Sequence, residues 1–219
     1  IARRATTSEH SYHFVSSREV DICDTEALRR ALEGVDIVIN TAAYTDVEAA
    51  EEQESEARRV NVIGVRNIAT LCLQMGIRLI HISTDYVFDG QGEAPWEPDC
   101  KDYKPLNVYG QTKLEGELAV ANTLEKYFIV RIAWVFGRNG NNFIKTMLKL
   151  SEKYDSLRVV CDQIGTPTYT LDLSRLRVDM VETEKYGYYH ATNEGGYISW
   201  YDFCCEIYKQ AGLNTKVVP

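Results

Sequence analysis

Val62-Ile-Gly-Val-Arg-Asn-Ile-Ala-Thr-Leu-Cys-Leu-Gln-Met75, a single Gly76, then Ile77-Arg-Leu-Ile-His-Ile-Ser83 is the stretch that decides the fold class. The first segment repeats its apolar positions at helical spacing and stops at a glycine, the residue that most readily closes a helix. The second is almost continuously apolar, as is Val35-Asp-Ile-Val-Ile-Asn40, and both suit strands buried on both faces. A helix feeding a buried strand is half of a βαβ unit. Working outward, β-rich runs recur at Ser11–Val15, Val35–Asn40, Arg78–Ser83, Tyr127–Ala133, Leu157–Val160 and Gly187–Ala191. Helical stretches fill the early gaps: Thr25–Leu32 behind Asp24 as N-cap, Val62–Met75, and Asn107–Thr123. Alternation of this kind predicts α/β architecture, a doubly wound parallel sheet of the Rossmann-like kind.

The composition agrees. The chain has 219 residues, of which 45% are hydrophobic and 26% charged, enough for a sizeable core and too apolar for disorder. Lys and Arg number 24 against 32 Asp and Glu, a net charge of −8, which disfavours a nucleic-acid partner. No run reaches the roughly 20 apolar residues of a membrane span, and Ile1 to Arg4 lack the apolar stretch of a signal peptide. Six cysteines without a C-x-x-C pair read as reduced thiols, so the expected compartment is the cytoplasm. The four histidines show no metal-binding spacing, and no metal is expected.

The residues up to 156 read as one layered domain, and 157–219, where Tyr and Trp crowd between Tyr186 and Tyr208, as a smaller lobe. No glycine precedes Gly34, so the first strand and the glycine-rich turn of a nucleotide-binding sheet are expected to be absent from this chain, and both ends read as cut. Glu48 to Glu56 reads as a solvated helical face. Gly90–Lys104 reads either as a lid or as an ordinary surface loop.

Tyr109-Gly-Gln-Thr-Lys113 places a phenol and an ammonium one helical turn apart, on one face. A cation close to a phenol favours the phenolate, so Lys113 is expected to lower the pKa of Tyr109 and suit it to proton transfer. With 14 Tyr in the chain, chance alone can supply such a spacing. The context adds weight: the strand ending Ser83-Thr84-Asp85 leaves a hydroxyl at the carboxyl edge of the sheet, where open α/β sheets bind ligands.

Taken in order, several further segments extend the pattern. They are Asp21-Ile-Cys-Asp24, Val38-Ile-Asn-Thr-Ala-Ala-Tyr-Thr45, His81-Ile-Ser-Thr-Asp-Tyr-Val-Phe-Asp89, Pro105-Leu-Asn-Val-Tyr-Gly-Gln-Thr-Lys-Leu-Glu-Gly116, Arg131-Ile-Ala-Trp134 and Asp162-Gln-Ile-Gly-Thr-Pro-Thr168. In these the chain resembles the dTDP-4-dehydrorhamnose reductase family of the extended short-chain dehydrogenase/reductase superfamily. The resemblance implies hydride transfer from NADPH or NADH to C4 of dTDP-4-dehydro-6-deoxy-L-mannose. It implies Tyr109 as proton donor, Lys113 as its tuning charge and a ribose contact, and Thr84 as a partner of the reacting oxygen. It also implies Asp21 and Ile22 at the adenine, Ala42, Ala43 and Tyr44 along the cofactor, and Asp85 and Trp134 at the substrate. Asn61 and Tyr86 have supporting roles, as a tie between elements and as packing. The expected partner is a sugar nucleotide, with no nucleic acid and no membrane, and a homodimer is left open. Two alternatives remain: a non-catalytic regulatory subunit like the β subunit of methionine adenosyltransferase, and a sugar-nucleotide epimerase or dehydratase.

Overall fold

The computed structural model describes residues 10–219, so Ile1 to Arg4 lie outside the described residues. The chain divides into two compact units, one reaching Ile132 and taking in Leu176–His190, the other made of Ala133–Arg175 and Ala191–Pro219. Position 156 thus falls inside the second unit.

In the first unit, helix α1 (Thr25–Ala31) starts where the Asp24 carboxylate accepts from the backbone N–H of Glu26 and Ala27, a cap of about 1 kcal/mol. Strand β1 (Ile37–Asn40) follows, then α2 (Val47–Glu52) and α3 (Glu54–Arg58), broken at Gln53. The acidic side chains of this stretch are mostly exposed, as expected. A π-helical turn, Arg59–Gly64, leads into α4 (Val65–Met75), which ends at Gly76 in the left-handed conformation. Strand β2 (Arg78–Thr84) passes through a 3-10 turn, Asp85–Val87, and a loop to α5 (Val108–Ala121), capped by Asn107, and then β3 (Tyr127–Ile132).

β1, β2, β3 and the later strand Gly187–His190 pair in parallel in that order. Leu79, Ile80 and His81 on β2 are fully buried, as are Ile129 and Val130 on β3. The core joins Leu28 on α1 and Leu32 just after it, Val65, Ile68 and Leu71 on α4, and Val120 on α5 to Leu79 and Ile129 on the sheet. α4 gives the sheet one apolar stripe, whereas the buried face of α5 also carries Thr112, Lys113 and Glu117.

Two expectations change. Ser11–Val15 forms no strand and is mostly exposed, and β1, read as buried on both faces, is only partly buried before Asn40. The cause is common to both. A strand needs a neighbour on the ladder, and among the described residues β1 has one only on its β2 side.

The second unit is built from short pieces: β4 (Val135–Phe136), α6 (Phe143–Ser151), β5 (Ser156–Arg158), β6 (Ile164–Gly165) and β7 (Thr168–Tyr169). Helix α7 (Thr170–Val181) leads into β8 (Gly187–His190), the fourth strand of the first unit. β9 (Ile198–Ser199), α8 (Trp200–Ala211) and β10 (Lys216–Val218) complete the chain. β4 pairs with β7, β5 with β10, and β6 with β9. α6 and α8 pack through Met147, Cys204, Ile207 and Tyr208, whose hydroxyl donates to the Met147 carbonyl at 2.9 Å.

Candidate active site

Thr84 ends β2 in extended backbone, and its hydroxyl donates to Asp85 Oδ1 at 3.1 Å. The phenol of Tyr109, in the first turn of α5, lies near that hydroxyl, which favours its ionised form. Tyr86, itself exposed, sets its ring edge-on to Tyr109 with centroids 5.5 Å apart. One turn along α5, Lys113 is buried, and its Nζ donates to the Ile82 carbonyl at 2.6 Å. The structure therefore gathers Thr84, Asp85, Tyr109 and Lys113 at the carboxyl edge of the sheet.

Their electrostatics differ from the expectation in one respect. Tyr109 is pushed up to about 12 by burial, with Thr84 pulling the other way and Asp85 and Tyr86 adding to the rise. Lys113 does not offset this. One N–H of its ammonium goes to a carbonyl, and burial draws it down to about 8 while Glu117 pulls it up. Desolvation outweighs the attraction that sequence spacing suggested. Burial also raises the Asp85 carboxyl.

The loop after β1 is pinned at two points. Asn40 Oδ1 accepts from the Ala42 N–H, and Asn40 Nδ2 donates to His81 Nδ1, which burial keeps neutral. Asn61, in the π-helical turn, accepts from the Tyr44 N–H at 2.8 Å and donates to the Tyr44 carbonyl and to Thr112 Oγ1. Asn61 thus ties the Ala42-Ala43-Tyr44 loop to the helix that carries Lys113. Gly116 makes this approach possible, since a Cβ there would run into the Asn61 carbonyl. Asp21 and Ile22 lie before α1. Asp21 accepts from the Cys23 N–H and from Arg59, and Ile22 fills the space beside Gly64.

Trp134 lies in the second unit. It is the one non-glycine residue with positive φ among the described residues, at 48°, and stacks on Trp200 with centroids 3.6 Å apart. A backbone conformation of this kind costs of order 1–3 kcal/mol and persists only where its surroundings hold it. Gly165 leaves the room, because a Cβ there would sit 2.7 Å from the indole.

Sequence reasoning passed over Asn40, Glu117 and Arg131. Glu117 repeats the four-residue step from Tyr109 to Lys113, and Arg131 interrupts an apolar strand, where a charge needs a buried partner.

A parallel sheet that brings a threonine, a tyrosine and a lysine to its carboxyl edge defines the class: a Rossmann-like protein of the extended short-chain dehydrogenase/reductase superfamily. Within it, the chain belongs to the family described as RmlD substrate binding domain, which matches residues 1–219. It is 40% identical to a dTDP-4-dehydrorhamnose reductase of Mycolicibacterium smegmatis over all of this chain and 67% of that protein. The crystal structure of a dTDP-4-dehydrorhamnose reductase ortholog from Clostridium acetobutylicum superposes with a TM-score of 0.94 at 39% identity, over all of this chain and 78% of that one. A dTDP-4-dehydrorhamnose reductase from Bacillus anthracis, solved in complex with NADP, superposes at 0.89 with 37% identity, over 94% of this chain and 74% of that one. Relatives named as reductases do not favour the regulatory alternative.

Proposed function

We propose that the protein reduces the C4 ketone of dTDP-4-dehydro-6-deoxy-L-mannose to dTDP-L-rhamnose, with NADPH or NADH as the reductant. The observation that carries this reading is the meeting of the Thr84 and Tyr109 hydroxyl groups at the sheet edge, with Lys113 buried one turn away.

As a ketone is reduced, its oxygen gains negative charge and needs donors and then a proton. Tyr109, pushed up to about 12, holds its proton at neutral pH and is a donor. An alkoxide is a stronger base than a phenolate, so transfer from the Tyr109 oxygen runs downhill. Thr84 holds the same oxygen in line, and Asp85 beside it contacts the substrate. Trp134 offers an indole face to the methyl and C–H surface of a 6-deoxy sugar, while the polar groups of the sugar need partners elsewhere.

The residues fit a dinucleotide cofactor, which supplies the hydride when bound. An ammonium has three N–H donors and Lys113 places one on Ile82, which leaves donors for ribose hydroxyls. Ala42, Ala43 and Tyr44 give a pinned loop with two small side chains, along which a cofactor can lie close to the backbone. Asp21 and Ile22 are the adenine contacts on this reading. Cys23, Cys72, Cys100, Cys161, Cys204 and Cys205 are free thiols, which supports a reducing cytoplasm. No helix of the described residues is long and apolar enough to cross a membrane.

Incubating the protein with dTDP-4-dehydro-6-deoxy-L-mannose and each reduced nicotinamide, while following the absorbance of the reduced form, tests the reading. Loss of absorbance with formation of the rhamnose-configured product is expected. Failure with both nicotinamides overturns it.

A further inference from the structure

Two stretches assigned above to the cofactor, the Asp21-Ile22 pair and the Ala42-Ala43-Tyr44 loop, are held by one element, the π-helical turn Arg59–Gly64. Its Asn61 pins Tyr44. Its two ends reach the other pair. At the far end, Gly64 lies so close to Ile22 that a Cβ there would stand 2.5 Å from the Ile22 side chain. At the near end, Arg59 Nη1 donates to Asp21 Oδ2 at 2.9 Å. Turns of this kind are rare and are found disproportionately at functional sites.

The guanidinium of Arg59 is itself fixed. Its Nε and Nη2 donate to Glu56 Oε2 and Oε1 at 2.8 and 2.9 Å, a fork that sets its plane and leaves Nη1 to meet Asp21. The Asp21 carboxylate is thereby held at both oxygens, since Oδ1 accepts from the Cys23 N–H at 2.9 Å. The backbone beneath it is tied separately. Asn67 Nδ2 donates to the Ile22 carbonyl at 3.2 Å, and the Cys23 thiol donates to the Arg59 carbonyl at 3.1 Å. The segment therefore keeps its place without the Arg59 side chain, and what that side chain adds is the direction of the carboxylate. Stability is a small part of it, because the two partners are 41% and 47% exposed, and ion pairs so open to water contribute little.

A carboxylate anchored at both oxygens has a fixed plane and lone pairs to spare, for Cys23 and Arg59 take two of its roughly four acceptor positions. The 6-amino group of adenine is a donor that such an acceptor can bind, whereas a 6-oxo group in its place offers only another acceptor.

We propose that Arg59, braced by Glu56, is a positioning residue that aims the Asp21 carboxylate at the adenine 6-amino group and so makes the site selective for an adenine dinucleotide. The proposal rests on the assignment of Asp21 and Ile22 to the adenine given above and names what makes that contact selective.

The test reads binding alone, without substrate. Dissociation constants are measured, by the fluorescence of the reduced nicotinamide, for NADPH, for NADH and for reduced nicotinamide hypoxanthine dinucleotide, in which a 6-oxo group replaces the amino group. Wild type is expected to prefer NADH over its hypoxanthine counterpart by about 10–100-fold, the scale of a hydrogen bond to a charged group. In Arg59→Met, which leaves Glu56 in water and should melt close to wild type, the preference should shrink to within about threefold of equality. Asp21→Asn should lose it as well. A merely structural Arg59 would weaken both dinucleotides alike and leave their ratio as in wild type, and that outcome, with the preference lost in Asp21→Asn, overturns the proposal while the adenine assignment stands. A loss in Arg59→Met confined to NADPH makes Arg59 a contact of the 2′-phosphate and overturns the proposal too. If wild type shows no preference, or Asp21→Asn retains it, the adenine assignment fails and the proposal falls with it.

Discussion

The unit that carries Tyr109 and the unit that carries Trp134 fix their key side chains by opposite means. Around Tyr109, polar groups are held by other polar groups: Thr84 by Asp85, the Tyr44 backbone by Asn61, Lys113 by a carbonyl, Glu117 by Arg131. Around Trp134, flat rings hold flat rings, with Trp134 stacked on Trp200 and Phe203, and Phe143 stacked on Phe203. Hydrogen bonds fix a proton donor to within tenths of an ångström, which proton transfer needs. Stacked rings fix a plane, which is what binding the apolar face of a sugar needs. The second arrangement carries a positive φ at Trp134, and the first carries none at a non-glycine residue among its described residues.

The changes that would break this contrast can be ranked. Lys113→Met removes a charge from the polar unit. It should lower kcat by about 10²–10⁴-fold, the scale of losing acid–base machinery, and raise the cofactor Kd. An unchanged cofactor Kd would remove its ribose role. Arg131→Met leaves Glu117 buried without a partner and should cost about 3–5 kcal/mol of stability, read as a fall in denaturation midpoint. A wild-type midpoint would show that the pair is not a structural tie. Trp134→Ala should weaken binding of the dTDP sugar by roughly 1–3 kcal/mol, the scale of uncovering a large apolar side chain, and leave cofactor binding nearly unchanged. A sharp loss of stability with wild-type substrate affinity would reduce Trp134 to core.

The mildest test is one of pH. Lys113 sits near 8 in the folded chain, below its ordinary value of 10.5. Between those two values the unfolded chain binds more protons, so the contribution of this group to stability rises with pH there. Activity should do the reverse and decline above about pH 8 as the ammonium is lost. Parallel declines in activity and melting temperature across that window would assign the loss to unfolding rather than to Lys113.

Local signals made the frame legible in the sequence. Asp24 caps the helix expected of it, the helix expected from Asn107 starts one residue later with Asn107 as its cap, Gly76 stops α4, and five of the six expected strands form within a residue or two of their predicted limits. Ser11–Val15 fails because strand propensity is not enough without a ladder partner. The π-helical turn at Arg59–Gly64 is invisible locally, and the close approach of Gly116 to the Asn61 carbonyl within it spans 55 positions of sequence. The spacing of Tyr109 and Lys113 put both on one face, yet the sign of their shifts came from burial, which spacing does not encode. Glu117 and Arg131 meet across 14 positions and two elements, so only their side-chain geometry reveals the pair.

The central claim is that the Tyr109 phenol delivers the proton to a ketone held by Thr84, and replacing that phenol by a benzene ring tests it most directly. In Tyr109→Phe the ring remains to pack against Tyr86, so the fold and the binding of the dTDP sugar should be nearly unchanged. Turnover, measured with saturating dTDP-4-dehydro-6-deoxy-L-mannose and reduced nicotinamide, should drop by about 10²–10⁴-fold. Turnover within a few-fold of wild type, with substrate affinity intact, would contradict the account.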